Sequence, residues 1–435
     1  MNRSFKSVFF ILFILVLASY FTLFYSTLSC QYTLDFASFY SATLASVRHD
    51  NPYQIWLSTY LPVTKEIALN LNPPVFLILF QPFAHLSYGT GIAIWFLMCL
   101  ITGLAAAYLV FYYVLSKESF RTLHGFLAIL FLAMFSSMIN LSLAQLGSIL
   151  FFFLMLGYTF YLKRKDYYAG MAWGFIIAIK LFPALLFFLL LKQRRFRVLW
   201  VALATALFCS LLPFLVYGPV IYKQYFAMMG QVDWYVDSWN GSLYGFLSRL
   251  NMVLPDRVFK VRWLPFLYAS LFLLLVALFY WRLGTKDEYR NHQPFALTLV
   301  MMLLLSPLGW VYYFQMLLLP LLLTWSYLIK DKYLGFKARE IWLLSLFLIS
   351  FPVNNMYFKK IHGLIDLLSF SSFYFYGLLL LGYLLLINQN LKGEQQLEFS
   401  EDNQQFMLLA LIIIAFGLII PSTGFFMRLS NECVY

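Results

Sequence analysis

Residues 30–82 read CQYTLDFASFYSATLASVRHDNPYQIWLSTYLPVTKEIALNLNPPVFLILFQP. This polar, aromatic stretch separates two apolar runs, 8–28 and 89–116, each long enough to cross a bilayer. Within it stand Asp35, Tyr40, the turn Asn51-Pro52-Tyr53 and the pair Pro73-Pro74. Phe36, Phe39, Tyr53, Trp56 and Tyr60 suit short helices at headgroup level, where a ring has one apolar and one wet side. The expectation is a loop of short helices on the outer face of a membrane, opened by Asp35.

Composition agrees. The chain of 435 residues is 63% hydrophobic and 11% charged, with mean hydropathy +0.79. A soluble domain is about 25% charged, and so few charges cannot cover this chain in water. The apolar runs lack the alternation of barrel strands, so the fold class is an all-α polytopic membrane protein. The net charge of +12 resides in short loops rich in Lys and Arg. That pattern is the positive-inside rule at work and argues against a nucleic-acid partner. The four cysteines are scattered without metal-ligand spacing and read as lone buried thiols; Cys30 and Cys433 both fall on the outer side, and a disulfide between them is the minor alternative.

Basic loops orient the chain. Arg3 and Lys6 precede the first span, read as an uncleaved helix running outward. Residues 73–86, broken by Pro82, are short for a crossing and read as re-entrant or interfacial. Residues 168–191 lie between two basic loops, which predicts a hairpin broken near Lys180 to Pro183. A second outer loop spans 218–262, and a third turn holds Ser306 to Trp310. The count is about eleven crossings plus the hairpin and the re-entrant piece. No internal repeat is evident, so nothing supports an inverted-repeat transporter.

Unusual polar residues gather on the outer side. Asp35, beside Phe36 and Phe39, is either a solvated carboxylate at a helix start or a general base with a raised pKa. Lys180, inside IIAIKLFPALL, either snorkels to the surface or holds a phosphate as a point charge. Arg249, Arg257 and Lys260 are further phosphate candidates. Gln145, Asn240 and Ser242 offer amide and hydroxyl groups, suited either to sugar hydroxyls or to interhelical bonds. No Walker loop, dinucleotide fingerprint, zinc motif or paired histidines occur, so no cofactor or metal is implied.

Taken in order, these stretches resemble a known family. Asp35-Phe36, Tyr40, Ala42, Asn51-Pro52-Tyr53, Pro73-Pro74 and Pro82 are similar to the opening of bacterial polyprenyl-phosphate-mannose-dependent alpha-mannosyltransferases. These are GT-C glycosyltransferases of family 87. Gln145, Ala169-Gly170, Lys180-Leu181-Phe182-Pro183 and the basic run 192–197 resemble the next block. Trp239-Asn240-Gly241-Ser242-Leu243 with Arg249 resembles an Asn-x-Ser-Leu motif, and Ser306-Pro307-Leu308-Gly309-Trp310 a Ser-Pro-x-x-Trp motif. Where such mannosyltransferases often carry histidine after that motif, this chain has Val311-Tyr312-Tyr313.

The resemblance implies a GT-C-type helix bundle with short extracytoplasmic helices. It implies a catalytic module over 1–327, with outer loops 29–88 and 218–262, and further transmembrane helices over 328–435. The implied reaction moves a hexose, mannose in the family, from a polyprenyl-phosphate donor to an extracytoplasmic glycan or glycolipid, with inversion. Asp35 would be the base. Lys180 and Arg249 would hold the donor phosphate. Tyr40, Gln145, Asn240, Ser242, Trp310, Tyr312 and Tyr313 would shape the pocket. The protein would sit in the inner membrane with its site on the outer face. A translocase for lipid-linked sugar or polysaccharide, or a membrane scaffold, are the other readings; a translocase needs a path open alternately to both faces.

Overall fold

The computed structural model describes residues 3–29, 34–54, 56–57, 60–61, 66–67, 69–232, 234–253, 263–284, 291–330, 335–353, 372–388, 391–392 and 401–430. Cys30, Cys433, Arg257 and Lys260 lie outside them. The described residues form eighteen α-helices: α1 (Arg3–Ser29), α2 (Leu34–Val47), α3 (Pro74–Phe80), α4 (Tyr88–Val114), α5 (Lys117–Ala133), α6 (Phe135–Ser142), α7 (Gly147–Leu162), α8 (Asp166–Ile179) and α9 (Leu186–Lys192); then α10 (Phe196–Tyr217), α11 (Val220–Met229), α12 (Leu243–Val253), α13 (Trp263–Arg282), α14 (Gln293–Leu305), α15 (Leu318–Lys330), α16 (Gly335–Ser350), α17 (Phe373–Ile387) and α18 (Glu401–Ser430). A two-residue antiparallel ladder pairs Trp56–Leu57 with Glu66–Ile67.

Local chemistry sets the helix boundaries. Ser87 and Ser116 cap α4 and α5, each side chain accepting a backbone N–H of the first turn. Proline begins α3 and α14, where a missing N–H costs nothing. At the end of α6, Gln145 N–H donates to the carbonyl of Asn140 at 2.8 Å and Ala144 takes a left-handed φ of 53°. This is a Schellman closure without glycine.

Among the described residues, six helical segments have the length and apolarity to cross a membrane, or seven if α5 and α6, bent by 64°, form one span. The sequence count of about eleven is larger because it includes shorter apolar helices such as α7 and α14, and part of the segment 364–386 lies outside the described residues. Residues 74–85 form α3 and a following 3-10 turn, too short to cross. The expected hairpin is seen: α8 stops at Lys180 and a 3-10 turn over Phe182–Leu185 leads into α9. Its two basic flanks meet, because Arg195 pairs with Asp166 and donates to the carbonyl of Tyr161 at 3.3 Å.

Close approach of α8 to α10 rests on Gly170 and Gly174, spaced as GxxxG. A Cβ at Gly174 would lie 2.4 Å from the carbonyl of Ala202. The C-terminal helices pack back on the rest, as Ser19 and Ser422 hydroxyls meet at 2.6 Å between α1 and α18. α7 runs from Gly147, two residues after Gln145, to Leu162, so the basic residues 163–165 stand at the helix end remote from Gln145, and Arg195 meets Asp166 beside them.

Candidate active site

At the Asp35 end, the bundle encloses a cavity of about 1660 Å³. Asp35, Gln145, Lys180, Trp310, Tyr312 and Tyr313 all line it. They come from α2, the α6–α7 turn, the α8 break and the 3-10 turn Val311–Leu317, so the fold gathers six residues dispersed in the sequence.

Asp35 stands in the first turn of α2, where the helix dipole favours an anion. The helix is packed nearly all round: Phe36, fully buried, has ring centroids of Phe80 at 5.6 Å and Tyr88 at 5.2 Å. Burial pushes the Asp35 carboxyl up to about 6, against the opposing pull of a Gln145 hydrogen bond and the Lys180 charge. Gln145 is suited to donate, since its Oε1 already accepts the Leu146 N–H at 3.3 Å. Lys180 follows α8 in extended geometry, outside any helix, and lines the cavity.

Behind this wall runs a buried polar chain. Asn140 donates to Ser148 Oγ at 3.0 Å, Ser148 donates to Gln315 at 3.0 Å, and Gln315 donates to the Tyr312 carbonyl at 3.2 Å. It fixes the turn that presents Tyr312 and Tyr313. Gln315 carries no role in the sequence reading; a glutamine amid VYYFQMLLLP was its only signal. Trp310 and Tyr312 rings stack, with centroids 5.9 Å apart.

Four expected pocket residues face elsewhere. Arg249 is fully buried and does not line the cavity; its guanidinium donates to the carbonyls of Asp237 at 2.6 Å and Asn240 at 3.0 Å, and to Ser372 Oγ at 3.4 Å. It braces the segment 237–249 from within and does not face this cavity. Asn240 donates to the carbonyls of Tyr235 at 3.0 Å and Pro307 at 2.9 Å, and its Oδ1 accepts the N–H groups of Ser242 and Gly309. Ser242 caps α12 by accepting the Gly245 N–H and donates to Pro307. Tyr40 donates to the carbonyl of Leu86 at 2.8 Å, tying α2 to the start of α4. All four are buried groups that bond to backbone carbonyls or N–H groups, though Arg249 Nη2 has no hydrogen-bond partner among the described residues.

The structure adds lining residues that the sequence reading left without a role. Asp237 lies in the cavity wall with Trp234, Tyr235 and Trp239, and burial pushes its carboxyl up to about 6. Phe187, Phe188 and Leu191 of α9 and Phe272 and Leu273 of α13 make an apolar side. Among the described residues, no group of three His, Cys, Asp or Glu side chains is placed to hold a metal ion.

Residues 70–307, more than half of the chain, match glycosyltransferase family 87. No curated protein and no solved structure matches the chain. The matched segment carries Gln145, Lys180 and the apolar wall of α9 and α13, while Asp35 and the Trp310–Tyr313 turn complete the cavity from outside it. With a multi-pass helical bundle, a large cavity at one end and this match, the chain belongs to glycosyltransferase family 87 and is a membrane glycosyltransferase.

Proposed function

We propose that the protein transfers a hexose, mannose by resemblance, from a polyprenyl-phosphate donor to a hydroxyl of an extracytoplasmic glycan or glycolipid, with inversion. The observation that carries this reading is the convergence of Asp35, Gln145 and Lys180 on one cavity that also has an apolar side. The apolar wall of α9 and α13 suits a prenyl chain, and Lys180 suits the phosphate at its head. The basic residues 163–165, at the end of α7 remote from Gln145, support an outward-facing cavity in the inner membrane. Residues 1–327 form the catalytic module in this reading, and 328–435 brace it.

In the reaction, the Asp35 carboxylate takes the proton of the acceptor hydroxyl as its oxygen attacks the anomeric carbon. The bond from that carbon to the phosphate oxygen breaks, and the polyprenyl phosphate leaves with the electron pair, its charge steadied by Lys180. Attack from the face opposite the leaving phosphate inverts the anomeric carbon. Gln145 orients the base.

The test is transfer by purified protein in lipid nanodiscs, using a panel of polyprenyl-phosphate hexoses and product detection by mass spectrometry. Asp35→Asn keeps shape but removes the base, and is expected to lower the rate by ~10²–10⁴-fold. Full activity of that variant would remove the mechanism.

A further inference from the structure

Asp237 is a carboxylate that the chemistry above does not use. It is 3% exposed, yet it lines the cavity. The Trp239 N–H donates to its Oδ1 at 2.8 Å, and the Ser238 side chain also bonds to it. An ionised carboxylate accepts about four hydrogen bonds, so acceptor capacity remains. Arg249 donates to the backbone carbonyl of Asp237, and its charge is also felt by the carboxylate without a direct hydrogen bond to it. Among the described residues, no ion pair reaches that carboxylate.

The surroundings are rigid and aromatic. The Trp239 indole N–H donates to the carbonyl of Val353 at 2.7 Å, and its own carbonyl accepts the Val311 N–H at 3.0 Å. Tyr235 packs edge-on against Tyr244 at 5.0 Å, and Trp234 shares the same wall. Tyr312 is within electrostatic reach of both Asp35 and Asp237, so the two acids serve one chamber.

The charges divide that chamber. Lys180 stands near Asp35 and attracts a phosphate. Asp237 shares its wall with Trp234, Tyr235 and Trp239, and of the Asp237 and Arg249 pair only the acid lines the cavity, so the surface offered there disfavours a phosphate. A fixed carboxylate among Trp and Tyr rings suits a neutral sugar: hydroxyls donate to the carboxylate, and C–H faces lie on the rings.

We propose that the 234–239 loop is an acceptor-sugar subsite in which Asp237 receives hydroxyls of a neutral glycan and Trp234 and Trp239 stack on its ring. The inference rests on the transferase reading and names the acceptor's chemistry: an uncharged sugar ring. A carboxylate or phosphate on that ring would meet Asp237 and be rejected.

The test uses acceptor kinetics in nanodiscs with neutral oligosaccharides and their uronate-bearing counterparts. Asp237→Asn is expected to raise the acceptor KM by ~10–100-fold, the scale of one to two charge-assisted hydrogen bonds. The donor KM is expected to move by less than about threefold, and discrimination against uronates to weaken. Equal rises in both KM values, or an unchanged acceptor KM, would overturn the subsite. Trp234→Leu supplies a second readout should Asp237→Asn fail to fold; it too should raise the acceptor KM selectively, and an unchanged value would overturn the proposal. Wild-type protein that neither transfers to any acceptor nor hydrolyses any donor would instead overturn the transferase reading. In that event quenching of tryptophan fluorescence by methyl hexosides decides the subsite: quenching lost in Asp237→Asn upholds it, and no quenching in wild type ends it.

Discussion

The Asn240 side-chain amide donates to the carbonyl of Pro307 at 2.9 Å, tying the 234–242 loop to the turn that ends at Trp310. The tie is doubled: Asn240 Oδ1 accepts the Gly309 N–H at 2.9 Å, and the Gly241 N–H donates to the Gly309 carbonyl at 2.9 Å. One buried amide thereby sets the distance between the Asp237 wall and the Trp310–Tyr312 wall.

Asn240→Ala should therefore loosen two walls at once. It leaves buried carbonyls and N–H groups without partners, each costing about 1–3 kcal/mol. The expected result is a clear fall in melting temperature in detergent, with loss of transfer activity. Asn240→Asp should fare no better, since a carboxylate cannot donate to Pro307 and Tyr235. A melting temperature equal to wild type would contradict this account.

Acidity follows from burial. With the Asp35 carboxyl at about 6 in the folded protein, the base is charged above that pH and protonated below it. Transfer should fall tenfold for each unit of pH below about 6. Stability moves the opposite way: the folded form holds this proton more tightly than the unfolded chain, whose carboxyl has the ordinary value of 3.8. The penalty is full above pH 6 and vanishes below 3.8. Asp35→Asn should raise the melting temperature at pH 8, and the gain should shrink on acidification towards pH 4. An equal gain at both pH values would argue against a raised Asp35.

Lys180 is tested through the donor. Lys180→Met keeps the length of the chain but removes the charge, and should raise the KM for a polyprenyl-phosphate sugar by ~10–100-fold. Lys180→Arg should recover part of the loss, since it restores charge with a different geometry. Unchanged donor kinetics in Lys180→Met would clear this residue of the phosphate.

Gly147 sits where the polar chain crosses behind Tyr312. A Cβ there would lie 2.5 Å from Asn140 Oδ1, Gln315 Nε2 and the Tyr312 carbonyl. Gly147→Ala should displace the Tyr312–Tyr313 turn at a cost of about 1–3 kcal/mol. Measured kcat should drop although no residue in the cavity has changed. A variant with normal kcat and stability would show that the turn can shift freely.

Hydropathy and charge were enough to read the membrane bundle, the break at Lys180 and the short helix after Pro73, and to put Asp35, Gln145, Lys180, Asn240 and the 306–310 turn on one side of the membrane; pocket roles for Trp310, Tyr312 and Tyr313 came only from the family resemblance. These follow from local rules: apolar length, proline, and the expense of a charge among apolar neighbours. Tertiary packing alone decided which polar groups face the chamber and which face the backbone. Arg249, Asn240, Ser242 and Tyr40 have the same chemistry as ligand-binding residues, but their partners are carbonyls brought near by distant segments. Ser372 and Val353 reach this loop from the C-terminal helices, to which the sequence attached no role in the site. Asp237 is the converse: an acid in a loop reads as solvated until the fold closes aromatic walls around it. A side chain's type is local, but its partner is set by packing between segments far apart in the chain.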